Sequence, residues 1–325
     1  MCFFANGRGV RLAALVLPLT GLTGCVMDYF FDDPDEQVEE ALWLVERFVQ
    51  APTPKVDILW VIDSTRSMEQ ERIALKDGIG DFLEQLEAEE IAYQIGVVST
   101  SGDGGELLGN PWIITPERSD QEEIFGEVID SYLAEEPEEE AGLAAMVAAL
   151  SEPNRSGANA GFRRAGAALH VVVVSDGDDH SDPWLDAPID DAVSALEAEA
   201  LSTGQPAWLS ALVGPEPQGC TGVGGATPGF RYNEVARETG GGVLSICESD
   251  LQPLVDELGG LSMVYPVEFP LMEEPAPESV GVTVDGELLE EGWSLQLEVP
   301  SILFDEAPAP GATIDVRYRL PGASA

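Results

Sequence analysis

Unbroken apolar runs of strand length, set between longer stretches of helical period, leave few folds open to this chain. The runs are Val56 to Ile62, Tyr93 to Ser99, Leu169 to Ser175, Ala207 to Val213 and Gly242 to Ile246. A strand with one wet face alternates apolar and polar residues. Several of these runs are instead nearly continuous Val, Ile and Leu, so both of their faces must be covered. Amphipathic periodicity predicts helices near Met68 to Glu89, Gln121 to Leu133, Glu138 to Leu150, Ile189 to Ser202, Arg231 to Thr239 and Leu251 to Leu261. This alternation predicts an α/β domain over residues 54–264, with a mostly parallel, Rossmann-like sheet flanked by helices. The segment Glu106 to Thr115, which contains Gly109, Asn110 and Pro111, reads as a hairpin arm at the sheet edge, because Pro cannot donate to a central ladder.

The texture changes on either side of that domain. Beyond Tyr265, the prolines 266, 270, 275 and 277 mark a boundary. Val280 to Val284, an Asp285-Gly286 turn, Trp293 to Val299 and Thr313 to Leu320 then read as short strands of a small β-rich domain, residues 265–325. Residues 25–53 are acidic and mixed, with a short helix expected over Val38 to Val49, and read as a tether.

Charge narrows the choice of partners. The chain carries 60 acidic against 15 basic residues, and Lys55 and Lys76 are its only lysines. Nucleic acid is excluded, because phosphate neutralisation needs clustered Lys and Arg. An anionic lipid surface is disfavoured for the same reason.

Arg8 and Arg11 precede the apolar stretch Leu12 to Leu19, which is too short to span a bilayer, so residues 1–24 read as a signal peptide. The segment ends in Leu22-Thr23-Gly24-Cys25, which resembles a lipobox. That resemblance implies cleavage before Cys25, acylation of its sulfur and export to a bacterial membrane. Val26 and Met27 place no acid after the lipidated residue, which favours the outer membrane. With Cys2 removed and Cys25 acylated, Cys220 and Cys247 remain and read as a disulfide, with two free buried thiols as the alternative. In the chain-entropy model a disulfide closing such a loop would stabilise the fold by roughly 3 to 4 kcal/mol.

The chemistry concentrates at two strand ends. The first run delivers Asp63, Thr65 and Ser67 at alternate positions, placing three oxygens at the carboxyl edge of the sheet, where open α/β sheets bind ligands. The run from His170 to Ser175 ends in Asp176-Gly177 and brings a further carboxylate to that edge if the strands are neighbours. Oxygen donors of this kind suit hard cations.

Asp-x-Thr-x-Ser after one strand and Ser-Asp-Gly after a later one resemble the metal-ion-dependent adhesion site of von Willebrand factor type A (vWA) domains. The resemblance implies a vWA-like fold in which Asp63, Thr65, Ser67 and Asp176 hold a divalent cation, Mg²⁺ foremost with Mn²⁺ or Ca²⁺ open. It also implies a protein partner whose Asp or Glu carboxylate completes the coordination. The family's Thr before a middle helix has no counterpart between Asp130 and Gly142, where Ser131 and Glu140 are the available stand-ins. A Glu there adds negative charge and weakens the ion's pull on an acidic partner. The alternative is a degenerate site in a structural envelope lipoprotein, whose acids only cap the following helix and turn.

The loop Gly177 to Asp182 is densely acidic but lacks the Gly and terminal Glu of an EF-hand. It reads as a solvated loop, with a second cation as the alternative. The whole segment Val173 to Asp182, together with the spacing of Cys220, Tyr232 and Cys247, resembles segments of vWA lipoproteins of Gram-negative bacteria.

Enzyme readings find no support. His170 and His180 are the only histidines, and no Gly-x-Ser-x-Gly elbow occurs. Gly240 to Gly242 lacks the Lys and Ser/Thr of a phosphate loop, so no organic cofactor is expected. Among the tryptophans, Trp184 stands closest to the acidic loop and is the candidate contact on the binding face. Incorporation of a fatty-acid analogue into the protein, abolished by Cys25→Ser, is the expected result of metabolic labelling.

Overall fold

The computed structural model describes residues 43–321, apart from 101–103, 111, 133–139 and 222–224. The chain divides into two units. One spans Pro52–Val264, and the other combines β1 (Trp43–Val49) with the chain from Tyr265 onward.

The larger unit is an α/β fold around a five-stranded, fully parallel sheet. Its strands are β2 (Lys55–Ile62), β3 (Ala92–Ser99), β4 (Ala168–Ser175), β5 (Ala207–Val213) and β6 (Val243–Ser245), in the spatial order β3-β2-β4-β5-β6. The alternation of side chains along β2 shows why its run had to be continuous. Ile58, Trp60 and Ile62 enter a core with α1 (Glu69–Ala88), α2 (Gln121–Tyr132) and α6 (Gln252–Leu261). Leu59 and Val61 enter a second core with α3 (Gly142–Leu150), α4 (Pro188–Thr203) and α5 (Phe230–Thr239). Trp60 is fully buried and meets the edges of Phe82 and Phe125 at centroid distances of 5.4 and 5.7 Å, a geometry favoured by aromatic quadrupoles.

The expected edge arm lies along β3. Ile95 and Ile114 exchange backbone hydrogen bonds of 2.8 and 2.9 Å, and Leu108 N donates to Val97 O at 2.8 Å. The arm thus covers backbone groups that would otherwise form an open edge. No helix among the described residues is long and apolar enough to cross a membrane.

The smaller unit corrects the expectation for the N-terminal segment. Residues 43–49, expected as helix and tether, form strand β1, whereas residues 38–42 and Cys25 lie outside the described residues. Leu44 and Glu46 are buried while Trp43, Val45 and Val49 are exposed, a period of two rather than 3.6. β1 pairs antiparallel with β12 (Thr313–Arg319), from Trp43↔Arg319 to Val49↔Thr313. The partner strand stands some 270 residues away, so no local pattern announces it.

Among the described residues, seven strands make up this unit. β7 is Glu268–Pro270, β8 Gly281–Val284, β9 Glu287–Leu289, β10 Trp293–Gln296 and β11 Ser301–Phe304. They form the sheets β1-β12-β8-β9 and β10-β11-β7 around Leu44, Phe269, Val282, Ile302, Ile314, Val316 and Tyr318. Buried Glu46 accepts from Tyr318 Oη and from Met272 N at 3.0 Å.

At the amino end of β2, buried Asp57 accepts from Arg163 Nη1 at 2.5 Å and Arg164 Nε at 2.7 Å. Arg163 continues to Glu199 at 2.8 Å, and Glu199 also pairs with Arg155. Burial raises the Asp57 carboxyl and lowers the Arg163 guanidinium, while their mutual attraction opposes both shifts. Removing one partner of such a group strands the other as an uncompensated buried charge. Asp57→Ala is therefore expected to cost about 3 to 5 kcal/mol in denaturant unfolding. Asp63 lies about 20 Å along the same strand, so ion uptake by the folded fraction should not change.

Candidate metal centre

The centre begins where β2 ends. Asp63 N donates to Val174 O at 2.9 Å, extending the ladder with β4 by one residue and fixing Asp63 at the carboxyl edge. Its side chain is fully buried. Oδ1 accepts from Thr65 N at 2.7 Å, closing a tight turn, and Oδ2 accepts from Ser175 Oγ at 2.7 Å. Ser175 Oγ in turn accepts from Gly177 N at 3.0 Å, so one carboxylate ties together the loops that follow two strands.

Thr65 Oγ1 and Ser67 Oγ lie 3.0 Å apart across a 3-10 turn, Arg66–Met68, that leads into α1. Arg72 braces this loop from one turn into the helix, donating to Thr65 O at 2.6 Å. Neither the 3-10 turn nor α1 receives a side-chain cap from its N-cap residue, Thr65 or Met68. The motif side chains are therefore not consumed in capping α1.

Asp176 follows β4 and is 8% exposed. Burial raises its carboxyl above the ordinary range, with the charges of Asp63 and Glu71 adding to the rise and a hydrogen bond from the Ser67 side chain opposing it. Its carbonyl accepts from Thr227 N at 2.8 Å, a contact that rests on the loop carrying Cys220. That loop is pinned by the Cys220–Cys247 disulfide and by paired backbone bonds between Cys220 and Ala226. The disulfide expected from the cysteine count is thus present, and it supports the strand end bearing Asp176.

Glu140, one of the two stand-ins for the missing Thr, joins the two strand-end acids. One oxygen from each of Asp63, Glu140 and Asp176 lies within 4.8 Å of the other two. Ser131, the other stand-in, is exposed near the end of α2. Glu140 is positioned by the start of α3, whose otherwise orphaned N–H groups are satisfied from elsewhere in the chain. Ala141 N donates to Thr100 O at 2.8 Å and Gly142 N to Tyr232 Oη at 3.2 Å. Leu143 N donates to Asp179 Oδ1 and Ala144 N to Ser181 Oγ, both at 2.9 Å. His180 N donates to the Glu140 carbonyl at 2.7 Å. The Glu140 carboxylate lies directly against Gly177, where a Cβ would require it to move.

The acidic loop is accordingly a scaffold and not merely a solvated face. Asp179 is buried and caps α3, and Asp178 Oδ1 accepts from Arg231 N at 3.0 Å near the start of α5. Arg231 also pairs with Asp182 at 2.6 Å. Trp184, exposed, stands two residues beyond.

His170 is fully buried mid-sheet between Ser262 Oγ at 2.7 Å and Ser210 Oγ at 2.8 Å. Desolvation pushes its pKa down to about 3, so it stays neutral.

No protein-family model and no curated protein matches the sequence. Among solved structures, the chain is similar to the pilus adhesin SpaC from Lactobacillus rhamnosus GG at 10% identity and a TM-score of 0.41, covering 92% of this chain and 44% of that one. It is also similar to proximal thread matrix protein 1 from the mussel byssus, at 16% identity and a TM-score of 0.41, covering 70% and 51%. A structure of that mussel protein with a zinc-occupied MIDAS motif aligns at 17% identity and a TM-score of 0.39, again covering 70% and 51%. The chain spans about half or less of the length of these structures.

Burial, followed by the charges of Asp63 and Asp176, raises the Glu140 pKa from its ordinary 4.5 to about 7. Between those values the metal-free fold holds a proton that the unfolded chain has released, so stability present below pH 4.5 is lost as pH rises through 7. In chelator, the melting temperature of Glu140→Gln should match wild type below pH 4.5 and exceed it progressively as pH rises through 7. A gap independent of pH would contradict this assignment.

Proposed function

We propose that the chain is a lipid-anchored cell-envelope protein of a Gram-negative bacterium whose α/β unit binds a divalent cation and uses it to hold a protein partner. The observation that carries this reading is the convergence of Asp63, Glu140 and Asp176 to within 4.8 Å of one another. Two unit charges at that spacing repel by about 3 kcal/mol at an effective dielectric of 20. Three ionised carboxylates without a counter-charge would therefore strain the strand ends, and a dication turns that repulsion into attraction.

The donor set fits such an ion. Every candidate donor is an oxygen, as hard cations require. Two oxygens on one ion can stand apart by at most twice the metal–oxygen distance, about 4.2 Å for Mg²⁺ and about 4.6 to 5.2 Å for Ca²⁺. Oxygens within 4.8 Å of one another fall inside the Ca²⁺ span, and Mg²⁺ would require them to draw in to about 4.2 Å. Glu71 adds a buried carboxylate oxygen without a hydrogen-bond partner, and its charge acts on Asp176, deepening the negative potential. Asp63, Asp176, Thr65 and Ser67 would hold the ion, and a partner's Asp or Glu would supply an oxygen from outside. The bound ion supplies charge stabilisation at that contact and no covalent chemistry. Anchoring through Cys25, residence in the outer membrane and a binding rather than catalytic role belong to the same proposal.

One observation favours a metal-independent structural lipoprotein instead. With Glu140 titrating near 7, the cluster can persist without an ion by keeping that carboxyl protonated. Titration calorimetry separates the two. The first reading expects uptake of one Mg²⁺, Mn²⁺ or Ca²⁺ per chain, abolished by Asp63→Ala in protein that keeps its native circular dichroism. Partner capture should fall in chelator and return with the ion. Capture indifferent to chelator, with no heat of ion binding, establishes the structural reading.

A further inference from the structure

We infer that Glu140 is a ligand supplied from within the chain, occupying in the resting protein the position that a partner's carboxylate must take. The inference rests on the ion-binding reading above and assigns that site a built-in competitor.

The three acids differ in how they are held. Asp63 and Asp176 are buried at the ends of neighbouring strands, and Asp63 is fastened through both carboxylate oxygens. Glu140 is only half-buried. Among the described residues no donor reaches its carboxylate, whereas its backbone is fixed through the Glu140 carbonyl and Ala141 N. The side chain can therefore swing away by rotation about its own bonds while the main chain stays in place.

A second observation, independent of the acids, points to a ligand beside them. Thr100 Oγ1 is fully buried and has no hydrogen-bond partner. β2 and β3 run in register, with Ile62 opposite Ser99, so Thr100 stands beside Asp63 and its side chain projects to the same face of the sheet. Its carbonyl holds Ala141, next to Glu140. A buried hydroxyl left without a partner is unfavourable, and an ion arriving with coordinated water would give this one a partner.

Charge drives the competition. Asp63 and Asp176 neutralise a dication, and one further carboxylate leaves the centre at minus one. A second would add both charge and crowding, so Glu140 and a partner's acid compete for the ion. The partner this site fits is an acidic side chain able to displace Glu140.

The test uses the full-length protein in detergent micelles, Mn²⁺ as the ion, and a fluorescent peptide blocked at both ends with a single Asp. In Glu140→Ala, Mn²⁺ affinity should fall roughly 10-fold, while water-proton relaxation per bound ion rises because water enters the vacated position. Peptide affinity should rise roughly 10-fold or more over wild type, with Glu140→Gln intermediate. Intact Mn²⁺ uptake with relaxation and peptide affinity unchanged in both variants would overturn the role of Glu140 alone. Absence of Mn²⁺ uptake by wild type would overturn the ion-binding reading and this inference with it.

Discussion

The register between β2 and β4 is the constraint on which the site depends. Ile62 stands opposite Val174, so the next residues along, Asp63 and Ser175, meet at the carboxyl edge and share a 2.7 Å hydrogen bond. A slip of one residue would send every side chain of β2 to the opposite face, exchanging Trp60 for Leu59 in a core that has no room for the exchange. Packing of aromatic side chains under α1 and α2 therefore sets the position of a carboxylate several residues away.

The other bank of the site is built by reciprocal capping. Four successive N–H groups at the start of α3 are taken up by Thr100, Tyr232, Asp179 and Ser181, from β3's end, α5 and the loop after β4. Each contributor is buried, and each buried polar group finds its main partner in this arrangement, apart from the Thr100 hydroxyl. Tyr232 illustrates the cost of such placement, since burial chiefly, with nearby carboxylates, raises its hydroxyl well above the ordinary value. It stays neutral and available to accept from Gly142.

The α/β sheet was legible in the sequence because hydrophobic runs and helical period are local signals, and all five parallel strands lie where those signals put them. Asp63 and Asp176 were legible for a related reason, being the first acids after such runs. Glu140, named only as a stand-in for a missing Thr, was less so, because it belongs to no run and its placement depends on contacts contributed by Thr100, Tyr232 and His180. β1 was misread for the same cause. Its seven residues carry enough apolar and charged character to suit a short helix, and only pairing with a strand at the far end of the chain settles the matter.

That pairing makes the α/β unit an insertion within the β unit. Its entry and exit are themselves adjacent, for Thr53 N donates to Val264 O at 2.6 Å. Chain-closure entropy grows with the number of free residues between two contacts, by about 0.6 kcal/mol for each doubling. Once the inserted unit has collapsed, its two ends act as a single short link, and the effective loop separating β1 from β12 contracts to a fraction of its contour length. Collapse of the inserted unit thereby lowers the entropic cost of bringing β1 to β12.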